Sequence, residues 1–133
     1  MPELLRNAIE EVLRFDSFGK LGNPRYVVEP YQLGDVELRP GQMLIALLPA
    51  ALRDPEVFPD PDRFDIRRDP LRSIAFGSGA HFCMGAALAR LEGEVAIGRL
   101  LRAFPALALA APPTYARHVS MRCMAQLPVR LHG

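Results

Sequence analysis

Apolar residues recur at helical spacing near the start of the chain. Leu4, Leu5, Ala8, Ile9, Val12, Leu13 and Phe15 follow a 3.6-residue period, so residues 2–15 are expected to form an amphipathic helix. Gly19, Gly22 and Pro24 break it. From Tyr26 to Leu48 the pattern changes to short strands. "YQLGDVEL" sets two small runs around a Gly-Asp turn, and "LRPGQMLIALL" places a Pro-Gly turn before a β-like run. "LRDPEVFPDPDRFD" is rich in proline and aspartate and reads as irregular, with Val57, Phe58 and Phe64 expected to pin it to a core. A second long helix is expected over residues 84–104, with Leu88, Leu91, Val95, Leu100 and Leu101 near one face and Pro105 ending it. The tail, "VSMRCMAQLPVRL", reads as returning strands. There is no internal repeat and no flexible linker. The pattern is that of an α+β chain in one unit spanning residues 1–133.

Composition narrows the class. At 133 residues, half of them hydrophobic, the chain has the length and apolar content for a folded core. A net charge of +1 gives no global signal for nucleic acid. Two cysteines, Cys83 and Cys123, make no disulfide framework, and a reducing cytoplasm is the expected setting. The start, "MPELLRNAIEEVLRF", lacks a signal-peptide core, and the longest apolar run, "MLIALLPAAL", is too short to span a bilayer. Neither a membrane nor a nucleic acid is an expected partner.

The candidate chemistry lies in "FGSGAHFCMG", residues 76–85, where Gly77, Gly79 and Gly85 surround Cys83 at the mouth of the second helix. Unpaired backbone N–H groups and the helix dipole favour a sulfur anion placed there. The glycines allow tight turns and close approach of a large flat partner. The plainest reading is an inert cysteine in a turn. A phosphate loop is excluded, because no Gly-Lys-Ser/Thr follows the glycines. A zinc site lacks ligands, since His81 and Cys83 are only two. A catalytic cysteine with His81 as base stays open, because a spacing of two residues does not fix their geometry.

The fourth reading is a haem thiolate. "FGSGAHFCMGAALARLE" resembles the haem-binding signature of the bacterial cytochrome P-450 family: Phe, Gly, any, Gly, any, His, any, Cys, any, Gly, then a Leu-Ala-Arg-x-Glu helix. Glu11 and Arg14 in "EEVLRF" resemble that family's Glu-x-x-Arg pair, and Arg63 in "FPDPDRFD" resembles the arginine that completes a buried charged triad. Alone, an i,i+3 pair is more often solvated. "PRYVVEPYQLGDVELRPGQ" resembles the segment that carries a propionate-binding arginine, at Arg25. His81 resembles a second propionate partner, and Phe76 the aromatic that shields the sulfur side of the haem; a loop arginine, a satisfied histidine and a core ring are the plainer alternatives.

The resemblance implies the C-terminal portion of the mainly α cytochrome P-450 fold: two long helices, small β-sheet segments and a cysteine-ligand loop. It implies haem b (iron protoporphyrin) held by Cys83 as iron ligand, Arg25 and His81 on propionates, and Phe76, Gly77, Gly79 and Gly85 around the ring. Glu11, Arg14 and Arg63 would brace the site structurally. In the family the thiolate donates electron density that favours O–O cleavage, and the oxidant hydroxylates a C–H bond. Electrons would come from a ferredoxin or flavoprotein, for which Arg67, Arg68, Arg72 and Arg90 form a candidate basic face, or a merely solvated one. The sequence departs from the family pattern at Ser73, where many members have a propionate-binding histidine, at Leu52 in place of asparagine, and at Cys123, read as a spare thiol. Nothing resembles the distal oxygen-activating helix. The chain is therefore expected to be inactive as a monooxygenase by itself and to associate with a complementing distal half or with itself. The alternatives are a truncated, non-catalytic relic or interaction module, or one half of a split enzyme.

Overall fold

The computed structural model describes residues 2–22, 24–69 and 73–132. The first helix, α1, runs Pro2–Phe15, as its periodicity predicts. Among its described residues Ile9, Glu11 and Arg14 are buried, so its inner face is part apolar and part ionic.

Four short strands follow: β1 (Pro24–Tyr26), β2 (Tyr31–Leu33), β3 (Val36–Leu38) and β4 (Met43–Ile45). β2 and β3 form an antiparallel hairpin across the Gly34-Asp35 turn, with Tyr31 opposite Leu38. It is nested in sequence between β1 and β4, which pair with Arg25 opposite Leu44. At the Pro-Gly turn the Gln42 N–H donates to the Arg39 carbonyl at 3.1 Å. A one-turn helix, α2 (Leu48–Ala51), leads into the proline-rich segment. That segment is irregular, as expected. It is anchored by Phe58, which is buried, and Val57, which is half-buried. Phe64 is 47 % exposed, a correction to its expected burial: its ring meets Phe15 edge-on at 5.6 Å, near the surface.

A single 3-10 turn at Gly79–His81 precedes α3 (Ala86–Ala103). The tail returns as β5 (Ala108–Leu109), β6 (Thr114–Tyr115), β7 (Met124–Gln126) and β8 (Val129–Arg130), again a nested pair of antiparallel ribbons, β6 with β7 inside β5 with β8. The loop after α1 is tied to this tail: Lys20 N–H donates to the Ser120 carbonyl and Arg122 N–H to the Phe18 carbonyl.

The packing of α3 overturns one expectation. Its apolar contact with α1 is made through small residues: Leu5 and Ile9 of α1 lie against Gly98 and Gly93, and Ala86 and Gly98 are its buried positions. Leu88, Leu91, Val95, Leu100 and Leu101, expected to face the core, are 40–58 % exposed. The small residues let α1 come close, and the bulky side of α3 faces outward. The same holds for the chain as a whole. It exposes 10215 Å², whereas a folded monomer of 14.7 kDa exposes about 6,900 Å² by the usual surface scaling. Among the described residues no helix is long and apolar enough to cross a membrane.

Candidate functional site

Four parts of the chain meet around one open cleft of about 630 Å³, a volume within the roughly 300–1,000 Å³ typical of cofactor sites. The Cys83 loop supplies one wall through Phe76, Gly77, His81 and Cys83. β1 supplies Arg25. The end of α1 and the loop after it supply Leu13, Phe18 and Gly22, and Ala46 and Leu48 close the far side. Gly22 packs so tightly on that side that a Cβ would lie 1.8 Å from the Ala46 carbonyl oxygen.

The loop is built by its backbone. Gly77 (φ +76°) and Gly79 (φ +65°) take left-handed conformations that side chains resist. The Gly77 N–H donates to the Ile74 carbonyl at 2.8 Å, and the Cys83 N–H reaches back to the Phe76 carbonyl at 3.0 Å. The segment from Phe76 to Cys83 is thus a closed latch that leaves the Cys83 side chain exposed. Gly85 caps α3, and a Cβ there would lie 3.8 Å from Cys83 Sγ, in ordinary van der Waals contact. Of the seven predicted cofactor residues, Arg25, Phe76, Gly77, His81 and Cys83 line the cleft; Gly79 and Gly85 shape the loop behind it. Leu13, Phe18, Ala46 and Leu48 were not singled out from sequence, because apolar residues in different segments carry no local signal of a shared wall. Cys123 is half-buried in the tail and does not line the cleft.

Among the described residues no group of three His, Cys, Asp or Glu side chains converges to hold a bare metal ion. The donor set fits a metal that brings its own ring of ligands: one exposed sulfur, an apolar wall of Phe76, Ile74 and Leu48, and two side chains, Arg25 and His81, able to donate to carboxylates.

Behind the cleft lies an ionic core. Arg14 has five N–H donors, and all five are used. Nε and Nη2 grip the two Glu11 carboxylate oxygens at 2.8 Å each; Nη1 donates to the Leu52 and Pro61 carbonyls at 2.9 Å each; Nη2 also donates to the Arg63 carbonyl at 3.3 Å. Glu11 accepts in addition from the Asp65 N–H at 2.8 Å and from Arg68 Nε at 3.4 Å. The expectation for Arg63 is therefore corrected. Its side chain is 71 % exposed and comes only within 3.8 Å of Asp65, and it serves the cluster through its carbonyl alone. The third member of the cluster is Arg68, 14 % exposed, whose guanidinium also donates to the Pro59, Asp60 and Arg63 carbonyls.

Burial pushes the Glu11 carboxyl up, but the hydrogen bonds from Arg14, the Asp65 N–H and Arg68 outweigh it and hold the group below its ordinary value of 4.5. A depressed native value means that the unfolded chain binds the proton first. The contribution of Glu11 is thus fully present above pH 4.5 and is lost as pH falls below it. Melting curves between neutral pH and pH 3 are expected to show this: the gap between the wild type and Glu11→Gln is widest at neutral pH and narrows in acid. A gap independent of pH would contradict it.

Two arginines of the expected basic face are engaged elsewhere. Arg68 is turned into the ionic core, Arg90 is paired with Glu10, and Arg72 lies outside the described residues. Arg67 alone of the described three is exposed and has no assigned role in the ionic core.

Comparison with known proteins decides the family. The cytochrome P-450 family model matches residues 1–120. The chain belongs to the cytochrome P-450 family. It is 50 % identical over 132 residues to cytochrome P-450 107B1 of Saccharopolyspora erythraea, covering 97 % of this chain and 33 % of that protein. To the epothilone C/D epoxidase of Sorangium cellulosum it is 42 % identical over 130 residues, covering 98 % of this chain and 31 % of the relative. Epothilone B-bound cytochrome P-450epoK superposes with a TM-score of 0.95 at 41 % identity, covering all of this chain and 33 % of that structure. The chain thus spans about a third of the length of the P-450 relatives it matches.

Proposed function

We propose that this chain is the haem-thiolate portion, from the C-terminal part of the fold, of a bacterial cytochrome P-450 monooxygenase. The observation that carries the reading is the convergence of Cys83, His81, Phe76 and Arg25 on one cleft from segments about fifty residues apart. Cys83 would ligate the iron of haem b. Arg25 and His81 would hold the propionates, and Phe76 would shelter the sulfur side. Bound there, the haem would supply oxygen activation, with the thiolate donating electron density to the iron. The chain's own residues orient the cofactor and brace it: the Phe76–Cys83 latch fixes the sulfur, and the Glu11–Arg14–Arg68 core ties α1 to the loop that leads to it.

The whole activity belongs to more than these residues supply. The outward apolar side of α3 and the large exposed surface support a complementing distal portion, in the same protein or in a split partner, with self-association as the second reading. A cytoplasmic setting and a ferredoxin or flavoprotein donor follow from the family reading.

Titration of the purified chain with haemin tests the proposal. Saturation at one haem per chain is expected. Arg25→Ala and His81→Ala should each weaken binding roughly tenfold to a hundredfold, the worth of one charge-assisted hydrogen bond. Uptake that never saturates, or that ignores both substitutions, would refute the proposed site.

A further inference from the structure

Arg90 lies on the second turn of α3, seven residues after Cys83. Both oxygens of Glu10, on α1, hold its guanidinium: Nε donates to Oε1, and Nη2 to Oε2 at 3.1 Å. A forked pair of this kind fixes the plane of the guanidinium as well as its charge. The pair is sheltered, with Arg90 36 % and Glu10 15 % exposed. The same guanidinium sits over the Phe76 ring, 4.7 Å from its centroid, the geometry of a cation–π contact. Phe76 lines the cleft, and its carbonyl accepts the Cys83 N–H. One continuous series of contacts therefore runs from α1 through α3 to the sulfur-bearing loop: Glu10, Arg90, the Phe76 ring, the Phe76 carbonyl, Cys83.

We infer that Arg90 is a positioning residue: clamped by Glu10, it fixes the Phe76 ring at the cleft wall and through it the latch that presents Cys83. This separates Arg90 from a docking role, since its charge is already matched by Glu10 and one face of its plane is taken by the ring. The consequence for the loop stands on the contacts alone. The consequence for a bound haem rests on the haem-thiolate reading above.

Amide hydrogen exchange of the Cys83 N–H in the full chain, without haem, reads the latch directly. Arg90→Gln is expected to speed that exchange by about two- to fivefold, the factor that corresponds to an exposed cation–π contact. Arg90→Lys should do less, because an ammonium still rests on the ring but lacks the fork. Glu10→Gln, which touches neither ring nor loop, should shift the rate in the same direction. In a Phe76→Leu background, Arg90→Gln should leave the rate unchanged. Amides in the C-terminal half of α3 serve as the control for general loosening. An unchanged Cys83 rate in Arg90→Gln, or an equal acceleration with and without the Phe76 ring, would overturn the inference; if Arg90→Gln does not fold, Arg90→Lys carries the same comparison. A second arm uses the haem-loaded chain, where Arg90→Gln should shift the midpoint potential only when Phe76 is present. Absence of thiolate-ligated haem from the wild type and from every variant, with the exchange pattern intact, would refute the haem reading and leave the positioning role standing.

Discussion

Arg14→Ala is expected to yield insoluble or unfolded protein. The substitution removes all five hydrogen bonds of a side chain that is 1 % exposed, leaving Glu11 buried at 3 % with only Arg68 and one backbone N–H. It also strips the Leu52 and Pro61 carbonyls of their donor. Breaking a buried charged pair from one side typically costs about 3–5 kcal/mol, against a total stability of about 5–15 kcal/mol for a whole domain. The apolar core offers little compensation: Ile9, Leu52, Phe58 and Ala86 are its buried members among the described residues. Arg68→Ala should be the next most damaging, because it removes the second guanidinium on Glu11 and a donor to three carbonyls of the proline-rich segment. Arg63→Ala keeps the carbonyl that Arg14 and Arg68 use, so it should stay within about 0.5 kcal/mol of the wild type. Soluble yield and thermal melting of the three variants provide the check. An Arg63→Ala chain that fails to fold beside a stable Arg68→Ala chain would reverse the assignment.

That reversal marks where the sequence stops being legible. Glu11 and Arg14 share one helix, and an i,i+3 spacing is enough to place them together. The third member comes from a segment without regular structure, where "RFDIRR" offers three candidate arginines within six residues. Which guanidinium points inward depends on how the backbone turns there: the Asp65 N–H docks on Glu11, and that contact brings Arg68 in while Arg63 stays out. The cysteine loop was legible for the opposite reason. Its glycines, its cysteine and the helix start are adjacent in the chain, so local chemistry is also spatial chemistry. The helix α1 and the nested hairpin followed from period and turn residues. The outward face of α3 did not, because a hydrophobic stripe gives the direction of burial only when the element that covers it is present. Arg68 and Arg90 left the basic face because counting arginines ignores the carboxylates and carbonyls that each one meets.

The second large effect concerns the sulfur. Cys83 and Cys123 are the two thiols of the chain, and only Cys83 lines the cleft, exposed and backed by the Phe76 latch. Cys123 sits in the tail ribbons, its carbonyl engaged by the Ala116 N–H at 2.9 Å. Cys83→Ala should therefore abolish thiolate ligation outright, since no other sulfur reaches the site, while Cys123→Ala should leave it intact. Neither substitution disturbs the ionic core, so both variants should remain folded and comparable. The decisive measurement is the absorption spectrum of the haem-loaded chain, reduced and exposed to carbon monoxide. The account predicts the red-shifted band of a thiolate-bound iron in the wild type and in Cys123→Ala, and its complete loss in Cys83→Ala; a red-shifted band that survives in Cys83→Ala, or one absent from the wild type at full haem occupancy, would contradict it.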